Sequence, residues 1–166
     1  MLKKTLVLFL IALAAGVAQA ESVRMPKTGV PAFAFDAPPG WAVLYDEFGN
    51  LRLTAQDRAS ALQLSMIDDP AIENTSLEEL AAEIMKAAGA PPFSKQEDGS
   101  IAGLNGTTFI SQITNDSGVE IVLRVTLVKL DKTHVASQGE MRTTEMTSEQ
   151  TAAFTSLLGD VRLTLE

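Results

Sequence analysis

The sequence predicts an α+β domain in which an antiparallel β-sheet is flanked by helices. Three observations predict this fold class. Residues 119–127 alternate between apolar and other side chains, as in a strand with one buried face. Turn-forming residues at 115–118 and 131–132 bracket that strand, which indicates a three-stranded antiparallel meander. Ser76 and Glu79 have the spacing of a helix capping box, and an apolar stripe follows them.

Residues 1–20 have the features of a secretory signal peptide. Lys3 and Lys4 supply the positive start, residues 6–17 are apolar, and small residues precede a cleavage site between Ala20 and Glu21. This prediction places the protein in the periplasm or outside the cell. A membrane span needs about 20 apolar residues. The run here is shorter, so no stable membrane anchor is expected after cleavage.

Charge and cysteine content exclude several functions. The chain has 13 basic and 21 acidic residues, and removal of residues 1–20 leaves 11 basic residues and a formal charge of −10. A chain this acidic, without a basic patch, is not expected to bind nucleic acid. With no cysteine, the chain has no disulfide, thiolate metal site or lipid-attachment cysteine. It must be held together by its core.

The first third of the chain predicts a leader and several short strands. Residues 21–31 contain two prolines and a glycine with little periodicity, which predicts a flexible leader. Phe33 and Phe35 alternate with smaller residues in a strand that Pro-Pro-Gly at 38–40 ends. A second strand is predicted to begin at Trp41. Two more are predicted over 51–55 and 61–67, and all of them are expected to join the meander in one extended sheet.

The helices and remaining strands follow from caps, stripes and turn residues. Gly89 ends the first helix. Its apolar stripe consists of Leu77, Leu80, Ala81, Ile84, Met85 and Ala88. Residues 93–101 predict a strand with a turn at 98–100. After the meander, Thr147 or Ser148 caps a second helix that ends at Gly159, and residues 161–165 predict a terminal strand. Because no linker or repeat divides the chain, residues 32–166 are expected to form a single domain.

Two short motifs carry a resemblance to a known fold. The segment FDAPPGW at 35–41 and the helix opening SLEEL at 76–80 resemble the PsbP-like fold families, which include small exported bacterial proteins. The order of strands and helices after residue 20 is similar as well. The resemblance implies an antiparallel sheet between helices on its two faces, an α/β/α sandwich. It implies no activity, because that fold serves as a binding or assembly module in unrelated settings.

No catalytic constellation or cofactor site is predicted. His134 is the only histidine, which excludes any site that needs two imidazoles. Asp131, Thr133 and Ser137 are its neighbours in sequence, but no serine lies in a G-x-S-x-G motif. We therefore interpret His134 as a partly exposed strand residue.

Acidic loops and a group of aromatic residues are the remaining candidates. Asp68, Asp69 and Glu73 are candidate metal ligands, although no loop matches an EF-hand and turn solvation explains them better. Trp41, Tyr45 and Phe48 are candidates for a ligand or partner surface beside the turn at Gly49 and Asn50, and strand packing is the favoured interpretation.

These observations favour an exported binding or accessory module that contacts another envelope protein and has no catalytic activity. Two alternatives stay open. One is a metal-assisted hydrolase that uses the acidic loops, and the other is a small-molecule carrier with an aromatic cleft near Trp41.

Overall fold

The computed structural model describes residues 21–47 and 49–165, so the predicted signal peptide lies outside the described residues. The elements in chain order are β1 (Glu21–Met25), β2 (Ala32–Ala37), β3 (Ala42–Tyr45), β4 (Leu51–Thr54), β5 (Ser60–Asp68), a 3-10 helix (Pro70–Glu73), α1 (Leu77–Ala87), β6 (Lys95–Ile101), β7 (Leu104–Thr114), β8 (Glu120–Lys129), β9 (His134–Thr143), α2 (Ser148–Asp160) and β10 (Arg162–Thr164). Every strand pairing is antiparallel, which confirms the predicted α+β class.

The strands form two sheets, and the prediction of one extended sheet is wrong. The large sheet has seven strands in the order β3-β4-β5-β9-β8-β7-β6, and the small sheet has three in the order β1-β2-β10. The predicted meander is confirmed as β7-β8-β9. The terminal strand β10 pairs with β2 and not with the large sheet. Phe33 and Phe35 of β2 are fully buried, so the small sheet packs through its aromatic face.

The expectation of a flexible leader over residues 21–31 is wrong for its first half. Glu21–Met25 is strand β1, which pairs with β2 from Glu21 opposite Ala37 to Met25 opposite Phe33. Val23 and Met25 are buried. These two residues alternate with polar ones. This short alternation is enough to form a strand, because β2 supplies both a partner for hydrogen bonding and an apolar face. Residues 26–31 connect β1 to β2.

The glycine at position 99 allows close packing and does not mark the turn predicted at residues 98–100. Gly99 lies inside β6 opposite Gly106 of β7, and the hairpin turns after Ile101. A Cβ atom at Gly99 would come within 2.0 Å of Thr108 Oγ1, and one at Gly106 would come within 2.1 Å of the Leu127 carbonyl oxygen. Both positions require glycine because neighbouring atoms occupy the space of a side chain.

Both helices begin at the predicted caps. In α1 the Ser76 hydroxyl accepts from the Glu79 backbone N–H, and the Glu79 carboxylate accepts from the Ser76 N–H. Thr147 and Gln150 form the same reciprocal pair at α2. The predicted end of the second helix at Gly159 is one residue early, because α2 continues through Asp160.

The core is divided into two clusters that lie against opposite faces of the large sheet. Leu127 and Val128 are successive residues of β8 and so point to opposite faces, and they belong to different clusters. The first cluster joins the small sheet and α2 to the large sheet through buried side chains that include Phe33, Phe35, Leu51, Leu53, Leu62, Leu64, Phe154 and Leu157. The second joins α1 to the large sheet through Leu80, Ala81, Met85, Phe109, Val125, Leu127 and Val135, with Ile72.

Phe154 of α2 is the central aromatic residue of the first cluster. Its ring is fully buried and stacks on Trp41, with 6.0 Å between ring centroids and 13° between ring planes. The guanidinium carbon of Arg142 lies 4.7 Å from the centroid of the same ring. Phe154 therefore fixes α2 to the tryptophan before β3 and to β9 at the same time.

We expect Phe154→Ala to lower the free energy of unfolding by about 3–5 kcal/mol, because it removes a buried ring and leaves a cavity beneath α2. Urea denaturation followed by tryptophan fluorescence measures this change. The control is Thr155→Ala at the next, exposed position of the helix, which should change stability by no more than about 0.5 kcal/mol. Equal stability of the two variants would contradict the packing described for Phe154.

Candidate functional site

Trp41 is half-buried, and its main contact is the stack on Phe154. Its backbone N–H donates to the Pro38 carbonyl over 3.2 Å, so the residue belongs to a turn and β3 begins one position later than predicted. A shallow depression of about 160 Å³ lies beside the ring, with Gln56, Asp57 and Gln150 among its lining residues. Trp41 therefore contributes to core packing and also borders a small polar depression.

The polar groups of that depression are largely engaged with one another. Asp57 Oδ1 accepts from the Ala59 backbone N–H over 2.9 Å, and Asp57 Oδ2 accepts from Gln150 Nε2 over 2.6 Å. These hydrogen bonds favour the ionised form, so they lower the pKa of Asp57 below its usual value, with the Ala59 N–H contributing most. The contact ties the β4–β5 turn to the start of α2.

Tyr45 lies at the far end of β3 from Trp41 and has different neighbours. Its hydroxyl donates to the Arg24 carbonyl over 3.2 Å, and Lys27 Nζ lies 4.5 Å from the ring centroid. Burial, with a smaller effect of Glu21, raises the pKa of Tyr45. Neither of the two described depressions is lined by both Trp41 and Tyr45. Phe48, the third aromatic candidate, lies outside the described residues.

The three candidate metal ligands have separate roles. Asp69 caps the 3-10 helix by accepting from the Ala71 N–H over 2.8 Å. Glu73 accepts from Lys132 Nζ over 2.8 Å. Asp68, at the end of β5, lies opposite His134. Over residues 21–47 and 49–165, no group of three or more histidines and carboxylates is arranged to hold a metal ion, so the predicted trio does not form one site.

His134 borders a cavity of about 220 Å³ at the junction between the two sheets. The cavity is open to solvent and is bordered by the β1–β2 connection, the β3–β4 turn and the ends of β5 and β9, and its lining residues include Met25, Pro31, Asn50, Met66, Asp68 and His134. Asp131 Oδ2 lies 2.9 Å from His134 Nδ1, and Asp68 Oδ1 lies 3.5 Å from His134 Nε2. The imidazole therefore lies between two carboxylates at the cavity wall.

Asp131 is held in its ionised form. It accepts hydrogen bonds from the backbone N–H groups of Thr133 and His134, each over 2.8 Å. These bonds, the Thr133 N–H first, lower the pKa of Asp131 to about 2. Both oxygens of this carboxylate lie within 3.0 Å of His134 Nδ1, so Asp131 fixes the orientation of the imidazole ring.

A further feature is an apolar surface on the α1 face of the large sheet that α1 does not cover. We call this surface the open strip, and its residues are Ala42, Leu44, Ala61, Ile113, Ile121, Leu123 and Met141. Ala61 lies opposite Met141, Met141 lies opposite Leu123, and Ile113 lies opposite Ile121, so the strip runs in register over β5, β9, β8 and β7. On β4 this face carries Arg52 and Thr54, which separate Ala42 and Leu44 from the rest of the strip. Leu44 has 60% of its surface exposed. None of the seven residues belongs to either core cluster.

The open strip corrects one sequence expectation. The alternation over residues 119–127 predicted that the whole face is buried, but Val125 and Leu127 are buried while Ile121 and Leu123 are only half-buried. The reason is size. An eleven-residue helix is about 16 Å long, whereas the ten-residue strand β8 is about 33 Å long. The predicted helix length was the signal that could have revealed the uncovered area.

The described part of the chain contains no helix long and apolar enough to span a membrane. No protein-family model matches the chain, and no curated protein sequence matches it significantly.

Solved structures resemble the fold at low sequence identity. The cyanobacterial PsbP, CyanoP, from Synechocystis sp. PCC 6803 is 12% identical, with a TM-score of 0.59 over 91% of this chain and 96% of that protein. LpqN, a protein involved in cell envelope biogenesis of Mycobacterium tuberculosis, is 13% identical, with a TM-score of 0.53 over 88% and 91%. A protein from Bacteroides thetaiotaomicron is 8% identical, with a TM-score of 0.52 over 81% of this chain. The chain covers 46% of the Bacteroides protein, about half its length. The protein has a PsbP-like fold.

The contact between Asp57 and Gln150 predicts a pH dependence of stability. Because the pKa of folded Asp57 is lowered, its contribution to stability is present above the unfolded pKa of 3.8 and is lost as pH falls below that value. We expect the Asp57→Asn variant to lose less stability than the wild type as the pH falls below about 4. Urea denaturation at a series of pH values measures this difference. Asp116→Asn, in the β7–β8 turn, is the control for removing one charge. A pH profile of Asp57→Asn that matches the wild type would contradict the assignment.

Proposed function

We propose that this protein is an exported binding or accessory module without catalytic activity, and that the open strip is the surface that contacts another envelope protein. The observation that carries the proposal is the half-covered face of β8. The apolar alternation of β8 continues beyond the residues that α1 buries, so Ile121 and Leu123 stay half-buried and lie outside the cluster that α1 forms with the sheet.

The position of β3 adds to this argument. This four-residue strand ends the large sheet, and its residues Ala42, Leu44 and Tyr45 are exposed. Asp46 donates its N–H to the Asn50 carbonyl over 3.0 Å, which makes residues 46 and 50 a hydrogen-bonded pair. Since such pairs alternate along an antiparallel ladder, the backbone groups of Val43 and Tyr45 point away from β4. An apolar edge with free backbone groups is a typical place for another chain to bind.

The charge of the strip favours an apolar partner surface. Among the described residues of β3, β4, β5 and β9 on this face, Arg52 alone carries a charge. The centres of protein interfaces are depleted in charged residues and enriched in apolar ones. The rest of the chain is strongly acidic, and this opposes close approach of a second copy. We therefore favour a different protein as the partner.

The proposed location is the periplasm or the exterior of the cell. The basic, apolar and small-residue segments of residues 1–20 support export, with cleavage between Ala20 and Glu21. Within this proposal we keep the α/β/α sandwich as the layer arrangement, with α1 as an incomplete outer layer.

We expect Leu44→Asp to weaken capture of the envelope partner at least tenfold. The change places a charge at Leu44, which has 60% of its surface exposed. Loss of an interface anchor of this kind costs more than about 1.4 kcal/mol. The measurement is recovery of the partner from envelope extract on immobilised protein, after in-cell photocrosslinking from position 123 has identified it.

The matched control is Gln96→Asp, an exposed position on β6, the edge strand at the other end of the same sheet. It should capture the partner as the wild type does. A crosslinker at exposed Glu83 of α1 serves as the second control. Crosslinking of the same protein with equal yield from positions 83 and 123, or equal capture by Leu44→Asp and the wild type, would refute the strip as the contact surface.

The mature protein is expected to begin at Glu21. N-terminal peptide mass spectrometry of the protein purified from the cell envelope or the medium measures this directly. Recovery of the protein with residues 1–20 still attached would contradict the cleavage prediction.

A further inference from the structure

The cavity beside His134 is lined by residues that carry three kinds of metal-binding group. Its lining includes the thioether residues Met25 and Met66, the imidazole of His134 and the carboxylate of Asp68. Histidine and carboxylate ligands alone are too few there to hold a metal ion. Thioether sulfur is also a ligand for soft metal ions.

The strand register brings Met66 and His134 close together. Met66 lies opposite Ala136 in the β5–β9 pair, and Asp68 lies opposite His134, so Met66 is the diagonal neighbour of His134 on one face. Diagonal neighbours have Cβ atoms about 7 Å apart. This separation lets a long thioether side chain and an imidazole reach one ion from opposite sides.

Met25 approaches from the small sheet. It is the last residue of β1, is 2% exposed, and belongs to the same apolar cluster as Met66. The next residue, Pro26, begins the connection that borders the cavity. A ligand from β1 and two from the large sheet would therefore meet at the junction of the sheets.

The orientation of His134 suits a metal ligand. Asp131 Oδ2 holds its Nδ1 atom at 2.9 Å, so Nε2 is the ring nitrogen that lies beside Asp68, another residue of the cavity lining. Nε2 is 3.5 Å from Asp68 Oδ1, longer than an ordinary hydrogen bond. Metal-binding histidines commonly have their second nitrogen held by a carboxylate in this way.

We propose that Met25, Met66 and His134 form a binding site for a soft monovalent metal ion, Cu(I). Thioether and imidazole ligands select Cu(I), whereas Ca²⁺ and Mg²⁺ require oxygen ligands, of which Asp68 is the one carboxylate lining the cavity. The nearby carboxylates Asp68 and Asp131 favour a cation in the cavity. The site is separate from the open strip, so this proposal does not depend on the proposed partner.

The test is anaerobic titration of the purified protein with Cu(I) in competition with a chromophoric Cu(I) chelator, together with Ag(I) calorimetry. We expect one ion to bind per chain. Met66→Leu and His134→Gln should each lower the affinity at least tenfold. Leucine conserves the volume of methionine, so Met66→Leu keeps the packing while it removes the sulfur.

Met85→Leu is the control, because Met85 is as buried as Met25 but belongs to the α1 cluster on the other face of the large sheet. It should bind Cu(I) as the wild type does. Methyl NMR supplies a second measurement, in which Ag(I) should shift the Met25 and Met66 signals and leave Met85 unchanged. Absence of competitive Cu(I) binding by the wild type, or equal affinity in Met66→Leu, would overturn the proposal, as would a shift of Met85 alone.

Discussion

The packing of the small sheet onto the large one is the constraint on which the rest of the structure depends. Phe33 and Phe35 of β2 are buried against leucines of β4 and β5, and β2 pairs with strands from both ends of the described chain. Burial of each large side chain contributes about 1.5–3 kcal/mol. In a chain without cysteine, this apolar contact takes the place of a covalent link between β1 and β10.

This packing determines how the two faces of the large sheet are covered. One face receives the small sheet together with α2, which contributes Phe154 and Leu157. The other face receives α1, so the helix buries Val125 and Leu127 and leaves Ile121 and Leu123 half-buried. The open strip and the cavity at the sheet junction therefore both result from one feature of the fold, the separate sheet formed by β1, β2 and β10.

Local features were predictable from the sequence, and their long-range arrangement was not. The capping boxes at Ser76 and Thr147 and the meander are determined by residues close together in the chain, and they lie where the sequence predicts. The separation of β1-β2-β10 into a second sheet depends on contacts between distant segments, for which alternation gives no signal. Gly99 shows the same limit, because the atom that requires glycine there, Thr108 Oγ1, belongs to the neighbouring strand.

The candidate site shows this limit more strongly. The sequence singled out Asp68 and His134, but it placed Met25 in a leader and gave no reason to connect Met66 with either. Their proximity depends on the β5–β9 register and on the position of the small sheet.

Strand β9 connects the two proposed sites. Met141 faces the open strip and His134 faces the cavity, with seven residue steps between them. An odd number of steps places them on opposite faces, about 23 Å apart. A partner on the strip therefore leaves the cavity accessible, and the two functions can be tested in the same molecule without interference.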